Sequence, residues 1–94
     1  MASITVRFYS IYRLYLGIDR ISLQADDLGE ALAQMEERFG SRLREQLQMR
    51  GIGLDQKMQD FSLILLNGIN IRNLVETKLR EGSVLHIFPP SAGG

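Results

Sequence analysis

The chain ends with Val84-Leu85-His86-Ile87-Phe88-Pro89-Pro90-Ser91-Ala92-Gly93-Gly94, a run that predicts a β-strand followed by a short tail. Proline lacks an N–H group and cannot continue a central ladder, so Pro89 and Pro90 end the strand and favour an extended exit. Four small residues then lead to an α-carboxylate, which is ionised at neutral pH and unreactive until another protein activates it. We therefore expect the strand to hold this carboxylate away from the body of the protein.

Residues 91–94 form the predicted tail, and their small side chains suit a narrow channel. Four extended residues span at most about 13 Å, enough to place the carboxylate of Gly94 in a partner's pocket while residues 1–90 stay outside. Gly93 and Gly94 can adopt whatever φ such a channel requires. Taken alone, two terminal glycines are more often a frayed end, since chain termini are commonly disordered. The residues before the tail decide between these two interpretations.

The composition indicates one ordinary globular domain. The 94 residues are 45% hydrophobic and 23% charged, which suits a single modest core. A net charge of zero without a Lys/Arg run gives no support to nucleic-acid or anionic-membrane binding. Because no apolar stretch reaches the roughly 18 residues that cross a bilayer, and no secretory signal is recognisable, we expect a cytoplasmic protein. We assign residues 1–90 to the domain and residues 91–94 to its tail.

The sequence offers no complete catalytic set. It has no cysteine, which removes thiol nucleophiles, disulfides and thiolate metal sites. The paired acids Asp26-Asp27 and Glu36-Glu37 are interpreted as a helix cap and a solvated helix face, not as acid/base pairs or metal ligands. A self-contained enzyme is therefore not predicted.

Two strands are predicted in the first 24 residues. Residues 3–9 alternate apolar and polar side chains, which indicates a half-buried strand, and residues 18–24 predict a second strand close enough to pair with it in antiparallel fashion. Residues 10–16 form a short helical or irregular connection that Gly17 closes. The side chains expected to point into the core are Ile4, Val6, Phe8, Ile21 and Leu23.

The main helix is predicted to begin after an N-cap at Asp26 or Asp27, and with Asp27 at the cap Glu30 falls three residues later, in the capping-box position. We expect Gly40 to end this helix. Two leucines, Leu43 and Leu47, then predict a second short helix that Gly51-Ile52-Gly53 breaks, followed by a loop over residues 54–60. The apolar stripe of the main helix, which would cover one face of a sheet, consists of Leu28, Leu32, Met35 and Phe39.

The C-terminal half predicts the rest of the sheet. The apolar run at residues 61–66 indicates a strand buried wholly or nearly so, and Asn67-Gly68 after it favours a type I′ hairpin turn. Residues 69–72 return as a short strand, Glu81-Gly82 make a turn, and residues 83–88 form the last strand. This order predicts an α+β fold, with a mixed sheet of four to five strands and one main helix on one face.

Five features follow one another within the last 28 residues. They are Asn67-Gly68, Thr77-x-Leu79, Glu81-Gly82, the apolar last strand and Pro89-Pro90-Ser91-Ala92-Gly93-Gly94. This combination closely resembles the MoaD/ThiS family of ubiquitin-like sulfur carriers, and the ending is most similar to the molybdopterin synthase small-subunit branch. The resemblance implies the β-grasp fold, whose first and last strands lie side by side and parallel in the sheet centre. This sequence departs from the family pattern at Ser83, where the family often has an acidic residue. A salt bridge to a partner at this position is therefore in doubt.

The resemblance implies a carrier that acts with partner enzymes and is not itself an enzyme. An E1-like adenylyltransferase of the MoeB/ThiF kind would use ATP to adenylate Gly94, and a persulfide donor would then supply the sulfur of a thiocarboxylate. The tail, Ser91, Ala92, Gly93 and Gly94, would enter the MoaE-like large subunit of molybdopterin synthase, which accepts the sulfur. The carrier would bind no cofactor and no metal. Without cysteine, its side chains cannot carry the sulfur.

The same activated glycine allows other functions. A ubiquitin-like modifier would form isopeptide bonds between Gly94 and lysines of target proteins, and related sulfur carriers serve thiamine or cysteine biosynthesis. A plain β-grasp interaction module with an incidental Gly-Gly ending is a further alternative. The sequence does not choose among the acceptor pathways, because they share the activated glycine.

Strand alternation also predicts a docking surface on the side of the sheet away from the helix. The residues expected there are Tyr9, His86 and Phe88, flanked by Arg7, with Pro89 and Pro90 at the tail exit. Burial of two or three such aromatic side chains would hold a partner specifically and reversibly. The alternative is that they are ordinary half-exposed strand residues. The single histidine, His86, is interpreted as a strand or interface residue rather than a catalytic base.

Overall fold

The first and last strands lie side by side in the middle of a five-stranded mixed sheet. The computed structural model describes residues 1–53 and 55–90. The strands are β1 (Ala2–Phe8), β2 (Arg20–Ala25), β3 (Leu63–Leu66), β4 (Ile69–Asn70) and β5 (Val84–Phe88). Their order is β2-β1-β5-β3-β4, with only β1 and β5 parallel among the pairs described. This confirms the predicted α+β fold with the β-grasp arrangement.

The main helix, α2 (Leu28–Met35), packs on one face of this sheet and starts as predicted. The Asp27 side chain accepts a hydrogen bond from the N–H of Glu30 at 2.9 Å, which satisfies one of the free donors of the first turn. Leu28, Leu32 and Met35 are buried beneath the helix. The facing side chains of β1 and β5, all at most 1% exposed, are Ile4, Val6, Phe8, Leu85 and Ile87. From β2, Leu23 is buried, and Ile21 is partly buried against the same core.

A short helix, α1 (Ile11–Leu16), connects β1 to β2 and is held by a buried hydrogen bond. The side chain of Tyr12 is fully buried, and its hydroxyl lies 2.8 Å from Oγ of Ser62, the residue before β3. Burial raises the pKa of Tyr12 to about 12, so the phenol stays neutral and available for this bond. Gly17 ends α1 in the left-handed conformation, as predicted.

The prediction that Gly40 ends the main helix is wrong. The helix passes through a π-helical turn (Glu36–Gly40) directly into α3 (Ser41–Gln48), and Gly40 has a helical φ of −57°. Gly40 is buried, and the carboxylate of Glu36 occupies the space into which a Cβ at this position would project. The glycine therefore permits close packing inside the helix instead of stopping it.

The interpretation of Glu36-Glu37 as a solvated helix face is wrong for Glu36. The side chain of Glu36 is 21% exposed, and its Oε2 lies 2.7 Å from Nη1 of Arg44. Its Oε1 accepts a hydrogen bond from the N–H of Met58 at 2.8 Å. The same Arg44 nitrogen donates to the carbonyl of Gln56 at 3.1 Å. One carboxylate thus joins the helix to the segment that follows α3, while Glu37 is exposed as predicted.

The segment from 41 to 61 adds two helices beside α1. The predicted helix at Leu43 and Leu47 is confirmed as α3, with both leucines buried and Gly51 in the left-handed region at φ 86°. The loop predicted over residues 54–60 is wrong from residue 58 onward, because α4 (Met58–Phe61) begins there and Met58 is fully buried. Leu54, within that predicted loop, lies outside the described residues.

The strand predicted at residues 61–66 is confirmed over Leu63–Leu66, but the prediction that it is buried wholly or nearly so is wrong. Phe61 belongs to α4, and β3 alternates between buried Ile64 and Leu66 and more exposed Leu63 and Leu65. A helix covers one face of the sheet only, so the leucines of the other face stay accessible. The hairpin after β3 is confirmed, since Asn67 and Gly68 have φ of 50° and 92°.

The strand predicted to return over residues 69–72 is shorter than expected. β4 ends at Asn70, whose side chain accepts from the N–H of Arg72 at 2.9 Å and starts a 3₁₀ turn (Ile71–Asn73). No helix within residues 1–53 and 55–90 is long and apolar enough to span a bilayer.

The packing of Gly40 against Glu36 predicts a substitution whose effect changes sign with its background. In the natural sequence, Gly40→Ala should lower the free energy of unfolding by about 1 kcal/mol, because displacing the Glu36 carboxylate costs about 1–3 kcal/mol in lost hydrogen bonds while alanine returns up to about 1 kcal/mol of helix propensity. In a Glu36→Ala background the clash is absent, so Gly40→Ala should stabilise. Urea unfolding of the four proteins measures both values. Destabilisation of equal size in both backgrounds would contradict this account.

The buried Tyr12 hydroxyl predicts a pH-dependent difference. At neutral pH, Tyr12→Phe should cost about 1 kcal/mol of unfolding free energy, because Oγ of Ser62 loses its partner. The pKa of Tyr12 in the folded protein is about 12, above its ordinary value of 10.0. Above pH 10 the unfolded chain therefore releases this proton while the folded protein keeps it. The natural protein loses unfolding free energy as the pH rises towards 12. The phenylalanine variant lacks this loss. Unfolding curves between pH 7 and pH 12 should therefore show that the difference in unfolding free energy between the two proteins decreases. A constant difference would argue against the buried phenol.

Candidate functional site

The predicted docking residues lie together on the face of the sheet that α2 leaves open. Arg7 of β1 is exposed and stands directly beside His86 of β5 in the parallel register. Tyr9 follows the end of β1, and its N–H donates to the carbonyl of Ile87 at 3.1 Å, which extends the strand pairing by one residue. Tyr9, His86 and Phe88 are each half-buried. The structure therefore brings all four side chains to one site.

The three aromatic rings contact one another closely. The rings of Tyr9 and Phe88 are stacked, with centroids 4.4 Å apart and planes 12° from parallel. The Tyr9 hydroxyl lies 2.6 Å from Nδ1 of His86 and donates to that nitrogen when it is unprotonated. The guanidinium carbon of Arg7 lies 5.6 Å from the centroid of the Tyr9 ring, within cation–π range. The polar atoms of the phenol and imidazole thus bond each other, and the rings form one rigid surface.

Strand register adds residues that the sequence did not predict for this surface. Leu63, which is 43% exposed, stands opposite Phe88, and half-buried Leu65 stands opposite His86. Arg20 of β2 is exposed and stands opposite Arg7. We call the surface formed by Tyr9, Leu63, Leu65, His86 and Phe88, with Arg7 and Arg20 along one side, the open-face patch. The apolar run in β3 shows no alternation, so only the pairing with β5 reveals that two of its leucines belong here.

A backbone hydrogen bond joins Tyr9 to α1, the helix that follows it. Ser10 after it has a positive φ of 56°, which turns the chain sharply out of β1. The carbonyl of Tyr9 then accepts from the N–H of Tyr12 at 3.2 Å, and Tyr12 is itself fixed by Ser62. The backbone of Tyr9 is therefore linked through Tyr12 to a buried hydrogen bond, while its ring is positioned by Phe88 and His86.

The tail exit lies next to the open-face patch. Directly after Phe88 come Pro89, which is half-buried, and Pro90, which is exposed. The remaining predicted site residues, Ser91, Ala92, Gly93 and Gly94, lie outside the described residues, so their roles stay predictions. The structure establishes that the chain leaves the patch at the stacked ring of Phe88 and that two prolines separate this ring from residue 91.

Two other sequence positions have structural roles. Ser83, where relatives often carry an acid, is buried, and its Oγ accepts from the N–H of Arg80 at 3.1 Å in the turn before β5. It is therefore not available for a salt bridge with a partner. Asp27 caps α2, and the carboxylate of Asp26 lies 3.9 Å from the N-terminal amine. Within the described part of the chain, no three histidine, aspartate or glutamate side chains are grouped so that they could hold a metal ion.

Comparison with solved structures gives neighbours that share this fold over nearly their whole length. One chain of the complex of subunits 1 and 2 of molybdopterin-converting factor from Helicobacter pylori is 26% identical, with 98% of this chain and 99% of that chain covered and a TM-score of 0.63. Small archaeal modifier protein 1 from Methanosarcina acetivorans is 24% identical, with coverage of 100% and 98% and a TM-score of 0.70. A chain of the BexX/CysO complex from Amycolatopsis orientalis is 21% identical, with coverage of 97% and 99% and a TM-score of 0.61.

Comparison with curated protein sequences finds no match. The model of the ThiS family, in contrast, matches residues 6–94, a span that includes every strand from the middle of β1 onward, the open-face patch and the C-terminal glycines. This span also contains the parallel pairing of β1 with β5 from Val6 onward. The chain belongs to the ThiS family.

Proposed function

We propose that this protein is a sulfur carrier for molybdopterin biosynthesis that bears the sulfur as a thiocarboxylate on Gly94. The observation that carries the proposal is the position of the open-face patch directly beside the exit of the tail. A surface at that place can hold a partner enzyme while the four tail residues reach up to about 13 Å into it. The Helicobacter pylori neighbour is a chain in a complex of two subunits of molybdopterin-converting factor, which supports a partner of the same kind here.

The chemistry on Gly94 proceeds in three steps: adenylation, attack by a persulfide and release of the thiocarboxylate. The carboxylate attacks the α-phosphorus of ATP in an E1-like adenylyltransferase, and pyrophosphate leaves. A persulfide sulfur of a donor protein then attacks the acyl carbon, and AMP leaves, which gives an acyl disulfide. A thiolate then attacks the donor-side sulfur of that disulfide and forms a new disulfide with the donor, and the thiocarboxylate leaves. The chain supplies the acyl group only, which fits its lack of cysteine.

The protein acts in this proposal as the small partner of two enzymes and not as an enzyme itself. The adenylyltransferase and a MoaE-like large subunit of molybdopterin synthase both need the same Gly94, so both dock at the same exit, in turn. The open-face patch offers five apolar or aromatic side chains with two arginines at one side. Burial of one phenylalanine or tyrosine contributes about 1.5–3 kcal/mol, so a few such contacts give specific yet reversible binding. Neither ATP nor any other cofactor needs a resident site in this chain.

Sulfur transfer can be observed directly by mass spectrometry of the intact protein. After incubation with its E1-like enzyme, ATP and a persulfide donor, the protein should gain the mass difference between one sulfur and one oxygen, and fragmentation should locate it on Gly94. A variant that lacks Gly94 should show no gain. If the natural protein also shows none, the carrier proposal is wrong. Adducts of Gly94 with lysine side chains of other proteins, recovered in place of the thiocarboxylate, would identify a modifier instead.

The docking role of the open-face patch is tested by alanine substitution. Phe88→Ala should weaken binding to the adenylyltransferase about 10- to 30-fold, the effect of about 1.4–2 kcal/mol lost at a central aromatic contact. Val75→Ala is the matched control, since Val75 is fully exposed and lies outside the patch. Isothermal titration calorimetry measures both dissociation constants, and circular dichroism checks that each variant is folded. Equal affinity of the two variants would show that the enzyme docks elsewhere.

The contact between Tyr9 and His86 has its own spectroscopic signature. Because the hydroxyl donates to Nδ1, neutral His86 should carry its proton on Nε2. Long-range ¹H–¹⁵N spectra of the imidazole should therefore show an unprotonated, hydrogen-bonded Nδ1, and Tyr9→Phe should shift that nitrogen to the value of a free acceptor. An imidazole with its proton on Nδ1 at neutral pH would contradict the arrangement.

A further inference from the structure

Two arginines stand directly opposite each other at the side of the open-face patch. Arg7 of β1 is paired with Arg20 of β2, and one residue further on the N–H of Phe8 donates to the carbonyl of Asp19 at 2.8 Å. Because residues 8 and 19 exchange a ladder hydrogen bond, the two arginines form a non-hydrogen-bonded pair, in which opposite side chains lie closest. Like charges at such positions repel each other. We call Arg7 and Arg20 the arginine pair.

The protein does not neutralise the arginine pair with an acid of its own in the part of the chain described. Both side chains are exposed, and neither guanidinium has a described carboxylate oxygen within 4.0 Å. Arg7 lies over the ring of Tyr9, a contact that restricts its side chain without cancelling its charge. Two positive charges therefore remain available to an anion from outside.

A hollow of about 410 Å³ lies beside the arginine pair, and Thr5, Arg20, Ile21 and Ser22 line it. Thr5 stands directly opposite Ser22, so two hydroxyl groups follow the two guanidinium groups along the same pair of strands. None of the described residues that line this hollow is acidic. Guanidinium and hydroxyl groups both donate hydrogen bonds, and the planar fork of arginine matches the two oxygens of a carboxylate. The chemistry of this surface thus suits a carboxylate.

The arginine pair is continuous with the rings of the open-face patch. Arg7 stands beside His86 and over Tyr9, so a partner that covers the Tyr9 ring also removes part of Arg7 from water. Covering a guanidinium without supplying an anion is unfavourable. A partner surface without an acid at this place is therefore disfavoured, and one with an acid is selected.

We propose that the arginine pair binds an aspartate or glutamate side chain of the enzyme that docks on the open-face patch. The carboxylate accepts hydrogen bonds from Arg7 and Arg20 together, which relieves the repulsion between them, and the hydroxyls of Thr5 and Ser22 lie beside it as further donors. This inference rests on the docking proposed above and defines the chemistry that the partner must present at one side of the rings. The rings contribute most of the affinity, while the arginine pair contributes specificity and a faster encounter.

The proposal is tested by the rate of association with the adenylyltransferase, measured by stopped-flow fluorescence at several salt concentrations. At about 20 mM salt, Arg7→Gln/Arg20→Gln should associate about 3- to 10-fold more slowly than the natural protein. At about 1 M salt, where the Debye length is about 3 Å, the two rates should become nearly equal. Arg7→Lys/Arg20→Lys should keep the association rate but dissociate faster, because an ammonium group lacks the bidentate fork.

Arg38→Gln/Arg80→Gln is the matched control, because it changes the net charge equally at two exposed positions outside the patch. Circular dichroism checks that every variant is folded. The control should associate like the natural protein. The proposal is overturned if both glutamine double variants slow association equally, which would indicate an effect of net charge alone, or if neither slows it.

Exchange of charges locates the carboxylate on the enzyme. Arg20→Glu should weaken binding more than Arg20→Gln, because it places an acid against the partner's acid. Among variants of the enzyme in which surface aspartates and glutamates are replaced one at a time by lysine, one should restore binding of Arg20→Glu. Restoration by none of them would also overturn the proposal.

The two proposals fail in different ways. If Phe88→Ala weakens binding while the arginine variants bind and associate like the natural protein, docking on the open-face patch stands and the carboxylate site is wrong. Sulfur transfer to Gly94 is read by mass and depends on neither result.

Discussion

The structure depends on the parallel pairing of β1 with β5, from Thr5 beside Val84 to Phe8 beside Ile87. Parallel neighbours cannot be joined by a tight turn, so the chain between them must cross over the sheet. Here that crossover is everything from Tyr9 to Ser83, including α2 and the remaining strands. The pairing also brings the beginning of the chain next to its last strand. Every feature that we connect with function lies at the carboxyl end of that strand pair.

The register of the β1–β5 pairing determines which side chains face α2 and which face the other side of the sheet. It places Val6, Phe8, Leu85 and Ile87 beneath α2, where burial of their apolar surface stabilises the fold. The alternate positions of the same strands then present Arg7 and His86 on the other face, followed by Tyr9 and Phe88. A slip of one residue would exchange the two sets and expose the core. The register that buries the core therefore also fixes which positions of β1 and β5 form the open-face patch.

The sequence predicted those parts of the fold that follow from local rules. Strand alternation identified the inward residues of β1 and β5, the cap at Asp27 followed from its position before an apolar stripe, and the hairpin followed from Asn67-Gly68. The predicted patch of Arg7, Tyr9, His86 and Phe88 needed one further step, the parallel pairing that the family resemblance implied. The structure confirms their common location, while their docking role stays a prediction.

The failures share a physical cause, which is side-chain packing that the local residue type does not reveal. Gly40 looks like a helix stop because glycine is common at helix ends, yet here it makes room for Glu36, whose partners lie at Arg44 and Met58. The sequence around Met58 predicts a polar loop. The burial of Met58 depends on a core assembled from other elements, which this local sequence does not reveal. Leu63 and Leu65 look buried because leucine usually is. No local pattern distinguishes these cases.

The open-face patch is apolar although two of its members, Tyr9 and His86, carry polar atoms. Their hydrogen bond directs the Tyr9 hydroxyl and Nδ1 of His86 toward each other, so a partner that covers the patch need not provide a group for these two atoms. The protein thereby meets part of the desolvation cost before any encounter, while the N–H at Nε2 of neutral His86 still needs an acceptor. In the proposed function the protein docks on two enzymes in turn, and the Tyr9–His86 bond leaves each enzyme fewer polar groups to match. Discrimination between the two enzymes would then come from the arginines at the side of the patch and from the pocket that each enzyme offers to the tail.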